Sequence, residues 1–455
     1  MSKPSIPQGT RDFPAEVVRK RNHIFSTIRN VFELYGFEPL ETPAFENIET
    51  LMGKYGDEGD KLIFKILNNG LDNPDKEKQV REDFEKILQG KNVKGITERA
   101  LKYDLTIPFA RYVAMNHGKL SFPFRRYQVQ PVWRADRPQK GRYREFTQCD
   151  ADVVGSLSLL NEVELANIYH EVFIQLGMKN YELRINSRKI LTALAELCGG
   201  AGKMIDITIA IDKLDKIGLE KVKEELEQRG LSAEQVSTIE SYLNITGSNE
   251  QKLAAIRSLI GSIESGRQGI DEVEYVFEQT KNTNLIIDYT LARGLNYYTG
   301  IIFEAKAPEE VKMGSIGGGG RYDDLTGLFG VPGIPGVGIS FGVDRICDVL
   351  EEMNLFPGNL QVSTRALFFN MGETESRFAF SIMQQVRSCG TACELYHENA
   401  KINKQFTYAE KKNIPYVIII GSKEMEEKNC QVKNLSSGKQ EVVDLKDLPG
   451  YLRNI

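Results

Sequence analysis

The chain has 455 residues, 41% of them hydrophobic and 27% charged, with a formal net charge of -5; that length suits several domains, and no apolar run is long enough to span a bilayer. An acidic balance argues against a general nucleic-acid coat, which would be basic overall. Six scattered cysteines do not make a disulfide framework, and the opening MSKPSIPQGTRDFP has charge but no apolar segment behind it, so a cytoplasmic protein away from membranes is expected.

Taken in chain order, Ile24, Ile28, Val31, Phe32 and Tyr35 recur at helical spacing and Gly36 stands where a capping glycine belongs. Residues 37–43 alternate and carry two prolines, which suits an edge strand. Residues 70–95 are charged and irregular, with one short helical pattern at 84–88, and read as a surface insertion. Residues 122–133 and 143–154, rich in aromatic and β-branched types, read as two antiparallel strands joined by the polar ADRPQKGR. Seven basic residues (Arg125, Arg126, Arg134, Arg137, Lys140, Arg142, Arg144) crowd this hairpin against one acid, Asp136.

A helix over 161–177 and a strand over 181–186 follow, then a charged, helix-rich stretch from about 190 to 280 without candidate chemistry, read as an inserted domain. Strand character returns at 285–291 and 300–305, before the glycine-dense GSIGGGGRYDDL and a strand feeding a helix in GVGISFGVDRICDVL. Past Pro357, strands at 366–370, 392–396 and 416–420 alternate with helices at 375–388 and 404–412, a small α/β module.

The glycines at 317–320 invite a phosphate-loop reading, but the chain has no GxxxxGK[ST] and no G-x-G-x-x-G opening a helix. A bound nucleotide would therefore need arginines on its phosphates, a task that suits a planar, permanently charged guanidinium. Arg134, Arg293 and Arg345 stand beside strand signals. Cys389, Cys393 and His397 straddle a break at Gly390 and lack a fourth ligand, so no protein-held metal is expected.

Over nearly its full length the chain resembles the histidyl-tRNA synthetase family. The helix ending at Gly36 with the strand to Pro43 resembles motif 1 of class II synthetases, which in the family builds the dimer interface. FRRYQVQPVWRADRPQKGRYREFTQCDADVVG resembles motif 2, and GVGISFGVDRICDVL resembles motif 3. LARGLNYYTGIIFEA and GGGGRYDDL resemble the two histidine-specific signatures, and ALKYDLTIPFARY matches a variant substrate loop found in one branch. Asn296 stands where many members carry Asp, and it and the 70–95 loop are given no role.

The resemblance implies an α+β fold: a class II catalytic domain on an antiparallel sheet (1–190 and 281–360), a helical insertion (191–280) and a C-terminal α/β anticodon-binding domain (364–455). The implied activity is ligation of L-histidine to tRNA(His) with ATP and Mg²⁺, in a homodimer. It implies that Arg134 contacts the α-phosphate and Arg345 the γ-phosphate, with Arg142 also on ATP, while Arg293 bridges histidine carboxylate and α-phosphate during attack. Asp104, Thr106 and Gln148 would hold the histidine ammonium. Asp152 and Tyr298 would face the imidazole, with Tyr297 and Tyr322 beside them, and Arg137 and Gln139 would approach the tRNA acceptor end.

Read without the family, Asp104 and Thr106 are a helix-capping pair and the tyrosines are half core and half surface. A competing reading is a non-catalytic, histidine-sensing paralogue. Such proteins typically lack the C-terminal domain and lose motif arginines, and this chain keeps both.

Overall fold

The first helix, Ala15–Leu34, buries Ile24, Ile28, Val31 and Phe32, a spacing that keeps apolar side chains on one face. Gly36 follows with φ +76°, the left-handed conformation that glycine adopts without steric cost. The computed structural model describes residues 3–292, 297–361 and 364–454. The chain divides into two units, Met1–Phe356 and Pro357–Ile455.

The first unit is organised on an eight-stranded sheet in the order Glu38–Pro39, Phe124–Trp133, Glu145–Val154, Gly336–Gly342, Gly317–Tyr322, Ile301–Lys306, Glu182–Ser187, Leu285–Ile287. The six inner strands pair antiparallel, and only the two outermost, Glu38–Pro39 and Leu285–Ile287, pair parallel to their neighbours. Successive side chains on a strand point to opposite faces. On one face Cys149, Ala151, Val153, Val337, Ile339 and Phe341 join the large apolar core with Phe32, Tyr169 and Phe173. The other face carries Gln148, Asp150, Asp152, Gly338 and Ser340. One sheet therefore has an apolar side that holds it down and a polar side that is open to chemistry.

Helices from Arg188–Leu197 to Glu264–Gln279 fill the 188–279 stretch, and their buried residues, such as Leu194, Val236, Ile256 and Val273, belong to the same core cluster as the sheet. Ser232 with Gln235 and Ser248 with Gln251 form capping boxes at two of their starts.

Some predicted elements change. The helix expected at 84–88 runs from Glu77 to Leu88; its first turns are charged, held by pairs such as Arg81 with Glu77 at 2.7 Å, and so show no apolar period. The strand expected over 285–291 stops at Ile287, because Asp288 Oδ1 accepts from the Thr290 amide at 2.9 Å and turns the chain. The glycine-dense segment is an inner strand, and close packing between strands explains its composition. A Cβ at Gly319 would lie 2.2 Å from the Gly338 carbonyl oxygen, and one at Gly317 would lie 2.8 Å from the Tyr169 ring.

In the second unit five strands are ordered Cys393–Leu395, Ala366–Phe368, Tyr416–Ile419, Asn429–Asn434, Gln440–Asp444, the first three parallel and the last two antiparallel. Those last two lie past every element the sequence pattern marked. Helix Ile402–Lys411 has both exposed and buried positions. Gln405 is fully buried, and Phe406 packs its ring 4.8 Å from that of Phe369.

Candidate active site

The polar face of the sheet forms the floor of a cleft of about 390 Å³. Its walls come from the 103–106 segment, the 134–146 loop of the hairpin, Tyr297 and Tyr298, and the 315–322 and 338–345 segments. Strand register decides which side chains meet there. Gln148, Asp150 and Asp152 project on one face at intervals of two, opposite Gln130, Gln128 and Arg126 on one neighbouring strand and Gly342, Ser340 and Gly338 on the other. Gly338 has no side chain because a Cβ would sit 2.0 Å from Asp152 Oδ1.

Asp152 is 2% exposed and already carries two donors: Arg126 Nη2 reaches Oδ2 at 2.8 Å and the Tyr322 hydroxyl donates to Oδ1 at 2.6 Å. Arg126 is itself fully buried, with its guanidinium 4.1 Å from the Phe109 ring centroid. Burial raises the Asp152 carboxyl above its ordinary range, and Arg126 opposes that rise. Asp104 combines a local role with an open atom. Its Oδ1 accepts from the Ile107 amide at 3.1 Å and the Tyr55 hydroxyl at 2.9 Å, as a helix cap would, while Oδ2 is buried without a partner. Gln148 donates to Ser340 Oγ at 2.9 Å and leaves its own buried Oε1 unpaired. Burial raises the Tyr297 hydroxyl above its ordinary pKa, and Thr106 beside it opposes that rise.

Three arginines line the same cleft. Arg134 donates from Nε to the Tyr103 carbonyl at 3.0 Å and lies 4.2 Å over the Tyr103 ring. Arg345 is fixed by the carbonyls of Gly141 at 2.6 Å and Ser315 at 2.5 Å. Burial lowers its pKa, and the charges of Arg142 and Arg134 lower it further. Arg142 has one carboxylate nearby, Asp136 at 3.6 Å, but the arginine charges still outweigh it at Arg345, so an anion entering the cluster would relieve repulsion.

The structure thus brings Asp104, Thr106, Arg134, Arg142, Gln148, Asp152, Tyr297, Tyr298, Tyr322 and Arg345 to one cleft. Arg293, singled out from the sequence, lies outside the described residues, as does Asn296. Arg137 and Gln139 are exposed on the hairpin loop and do not line the cleft; the Gln139 and Arg142 backbones pair at 2.9 and 3.1 Å to shape that loop. The other basic residues are largely paired, Arg125 with Glu164 at 2.5 Å and Lys140 with Glu352 at 3.0 Å, so the positive segment is less free than its composition indicates. Sequence reading missed Arg126, Tyr55 and Asp150. Asp150 was detectable as the residue between Gln148 and Asp152 on the same strand face, whereas Arg126 required the register. Among the described residues no group of three His, Cys, Asp or Glu is arranged to hold a metal ion, and no helix is long and apolar enough to cross a membrane.

Comparison with known proteins identifies the family. Residues 75–346 match the model for "Histidyl-tRNA synthetase" and residues 367–455 match "Anticodon binding domain". The chain is 51% identical to the histidine–tRNA ligase of Christiangramia forsetii over 99% of each chain, and 50% identical to that of Bacteroides fragilis over 99% of each. A histidyl-tRNA synthetase structure from Nostoc sp. PCC 7120 is similar with a TM-score of 0.82 and 32% identity, covering 100% of both chains. The antiparallel sheet with its arginine-lined cleft, together with the α/β unit after it, is the fold of an aminoacyl-tRNA synthetase, an enzyme. Within that class the chain belongs to the histidyl-tRNA synthetase family.

Proposed function

We propose that the cleft activates L-histidine with ATP and passes the histidyl group to the 3′ end of tRNA(His). The observation that carries this reading is the coexistence in one cleft of buried acceptors without donors, Asp104 Oδ2 and Gln148 Oε1, and three arginines, Arg134, Arg142 and Arg345, that share one nearby carboxylate, Asp136. A substrate with an ammonium group satisfies the first set and a nucleoside triphosphate the second. Asp104, with Thr106 and Gln148, takes the ammonium. Arg134 and Arg345, with Arg142, take the phosphates, and Arg293 steadies the carboxylate against the α-phosphate. A histidine carboxylate oxygen bonds to the α-phosphorus as its bond to the pyrophosphate oxygen breaks, and the fixed cations stabilise charge gathering on the phosphate oxygens. The terminal ribose hydroxyl of the tRNA then attacks the histidyl carbonyl, and AMP leaves. Mg²⁺ arrives with ATP and neutralises its phosphates.

Asp152, Tyr298, Tyr297 and Tyr322 shape the imidazole pocket, with Tyr322 acting through Asp152. Arg137 and Gln139, exposed beyond the cleft, suit contact with the acceptor end. The second unit reads the anticodon, residues 191–280 serve as the helical insertion of the catalytic domain, and the enzyme works as a cytoplasmic homodimer. Amino-acid-dependent ATP–pyrophosphate exchange across all twenty amino acids tests the reading: exchange should depend on histidine, and selective exchange with another amino acid would overturn it.

A further inference from the structure

Asp150 has no role in the scheme above. It stands on the cleft face between Gln148 and Asp152, is 2% exposed, and has a buried Oδ1 without any hydrogen-bond partner. None of the neighbouring donors bonds that oxygen. Gln128, directly opposite, donates its amide nitrogen to Thr42 Oγ1 at 2.8 Å and to Gln130. Arg126, the strongest neighbouring positive charge, bonds Asp152 through Nη2, while its Nε and Nη1 bond neither Asp150 nor any other group. Ser340, across the other strand pair, accepts from Gln148 and stands where it favours the charged form of Asp150. Asp152, in contrast, has a donor on each oxygen.

We propose that Asp150 is a specificity residue of the amino-acid pocket, its unpartnered carboxylate oxygen accepting a ring N–H of the histidine imidazole while Asp152, held by Arg126 and Tyr322, positions the wall beside it. This rests on the reading of the cleft as a histidine site and deepens it. A buried acceptor awaiting a donor rejects an apolar side chain of similar size, because that side chain would leave it unpaired. Burial pushes the Asp150 carboxyl up to about 7, near the ordinary pKa of a histidine ring at about 6.5, so the two partners are matched in acidity.

The test is pyrophosphate exchange by the full-length enzyme and its Asp150→Ala and Asp150→Asn variants, with histidine and ATP varied separately. β-(Thiazol-4-yl)alanine, whose ring keeps a nitrogen and has no N–H, serves as the competing substrate. Asp150→Ala should raise KM for histidine roughly 10-fold or more, leave kcat and KM for ATP within about twofold, and narrow the preference for histidine over the thiazole by a similar factor. Asp150→Asn, which keeps the shape and one acceptor oxygen, should fall between, and neither variant should melt lower than the parent. Unchanged histidine KM and unchanged discrimination would overturn the proposal and leave the histidine site standing. Equal rises in both KM values with a lower melting point would assign Asp150 to the scaffold and overturn it too. A parent enzyme without histidine-dependent exchange would sink both readings.

Discussion

Two buried glutamines, one in each unit, show how differently the same side chain can be used. Gln405 is fully buried and fully served: its Nε2 donates to the carbonyls of Asn370 at 2.8 Å and Ala400 at 3.0 Å, and its Oε1 accepts from the Asn370 amide at 2.8 Å. Gln148 satisfies one end against Ser340 and leaves a buried carbonyl oxygen open. A polar group buried with all its partners ties a helix to a loop, whereas one buried without them is a cost that a ligand can remove. Asp104 and Asp150 share the second condition in the same cleft. Unpaired atoms, more than polarity or burial, separate these cleft side chains from Gln405.

The sharpest test of that contrast is Asp152, which lies in the cleft but is internally satisfied. Asp152→Ala leaves Arg126 fully buried with its principal anion gone, and an uncompensated buried charge costs about 3 to 5 kcal/mol. Thermal melting should therefore show a large loss, with histidine KM rising in whatever enzyme stays folded. A melting point within a degree of the parent would mean that the Arg126 pair does not hold the wall. Arg134→Ala should behave in the opposite way. Its loss removes a cation from the developing charge and should lower kcat/KM in pyrophosphate exchange by roughly 10²- to 10³-fold, with the melting point nearly unchanged. A fall below about threefold would remove Arg134 from the catalytic set.

Gln405→Leu addresses the satisfied side. It strands the Asn370 amide and two carbonyls, which should cost the second unit about 1 to 3 kcal/mol while pyrophosphate exchange continues at the parent rate. Denaturation of the variant set against its exchange rate decides the point, and lost exchange at undiminished stability would break the contrast.

The sequence reveals the working face better than its supports. Gln148, Asp104 and the motif arginines are legible because their blocks resemble a family, and the period of two places Gln148, Asp150 and Asp152 together. Arg126 is one of seven basic residues in a hairpin until pairing sets it directly opposite Asp152, a fact about register that no local pattern carries. The glycines at 317–320 look like a loop because glycine is usually read as a breaker; here the constraint is the approach of a neighbouring strand. In the second unit Gln405 follows a lysine on an exposed helix and reads as surface, although its position faces inward. The strands Asn429–Asn434 and Gln440–Asp444 escape because their outward residues are polar and their apolar runs short.

The last expected effect is on the pH dependence of stability, and it follows from the buried carboxylates of the cleft. Burial, the first cause in each case, raises the carboxyl pKa of Asp104, Asp150 and Asp152, that of Asp150 from 3.8 to about 7. A raised carboxyl means that the folded state holds the proton more tightly than the unfolded one. Between the unfolded value near 4 and the folded value near 7 the native protein binds more protons, so this contribution to stability is complete below about pH 4 and declines as pH rises to about 7. Asp150→Asn cannot titrate and should escape the decline. Relative to the parent it should gain about 1 to 3 kcal/mol at pH 8, a gain that shrinks toward zero near pH 4.5, where both chains carry a neutral group. The single tryptophan, Trp133, sits at the end of strand Phe124–Trp133, and its fluorescence during denaturation follows the unit that contains Asp150. A difference that stays constant with pH, or that grows toward acid, would mean that Asp150 is satisfied in the free enzyme as Gln405 is, and the distinction between the two faces would fail at its most specific point.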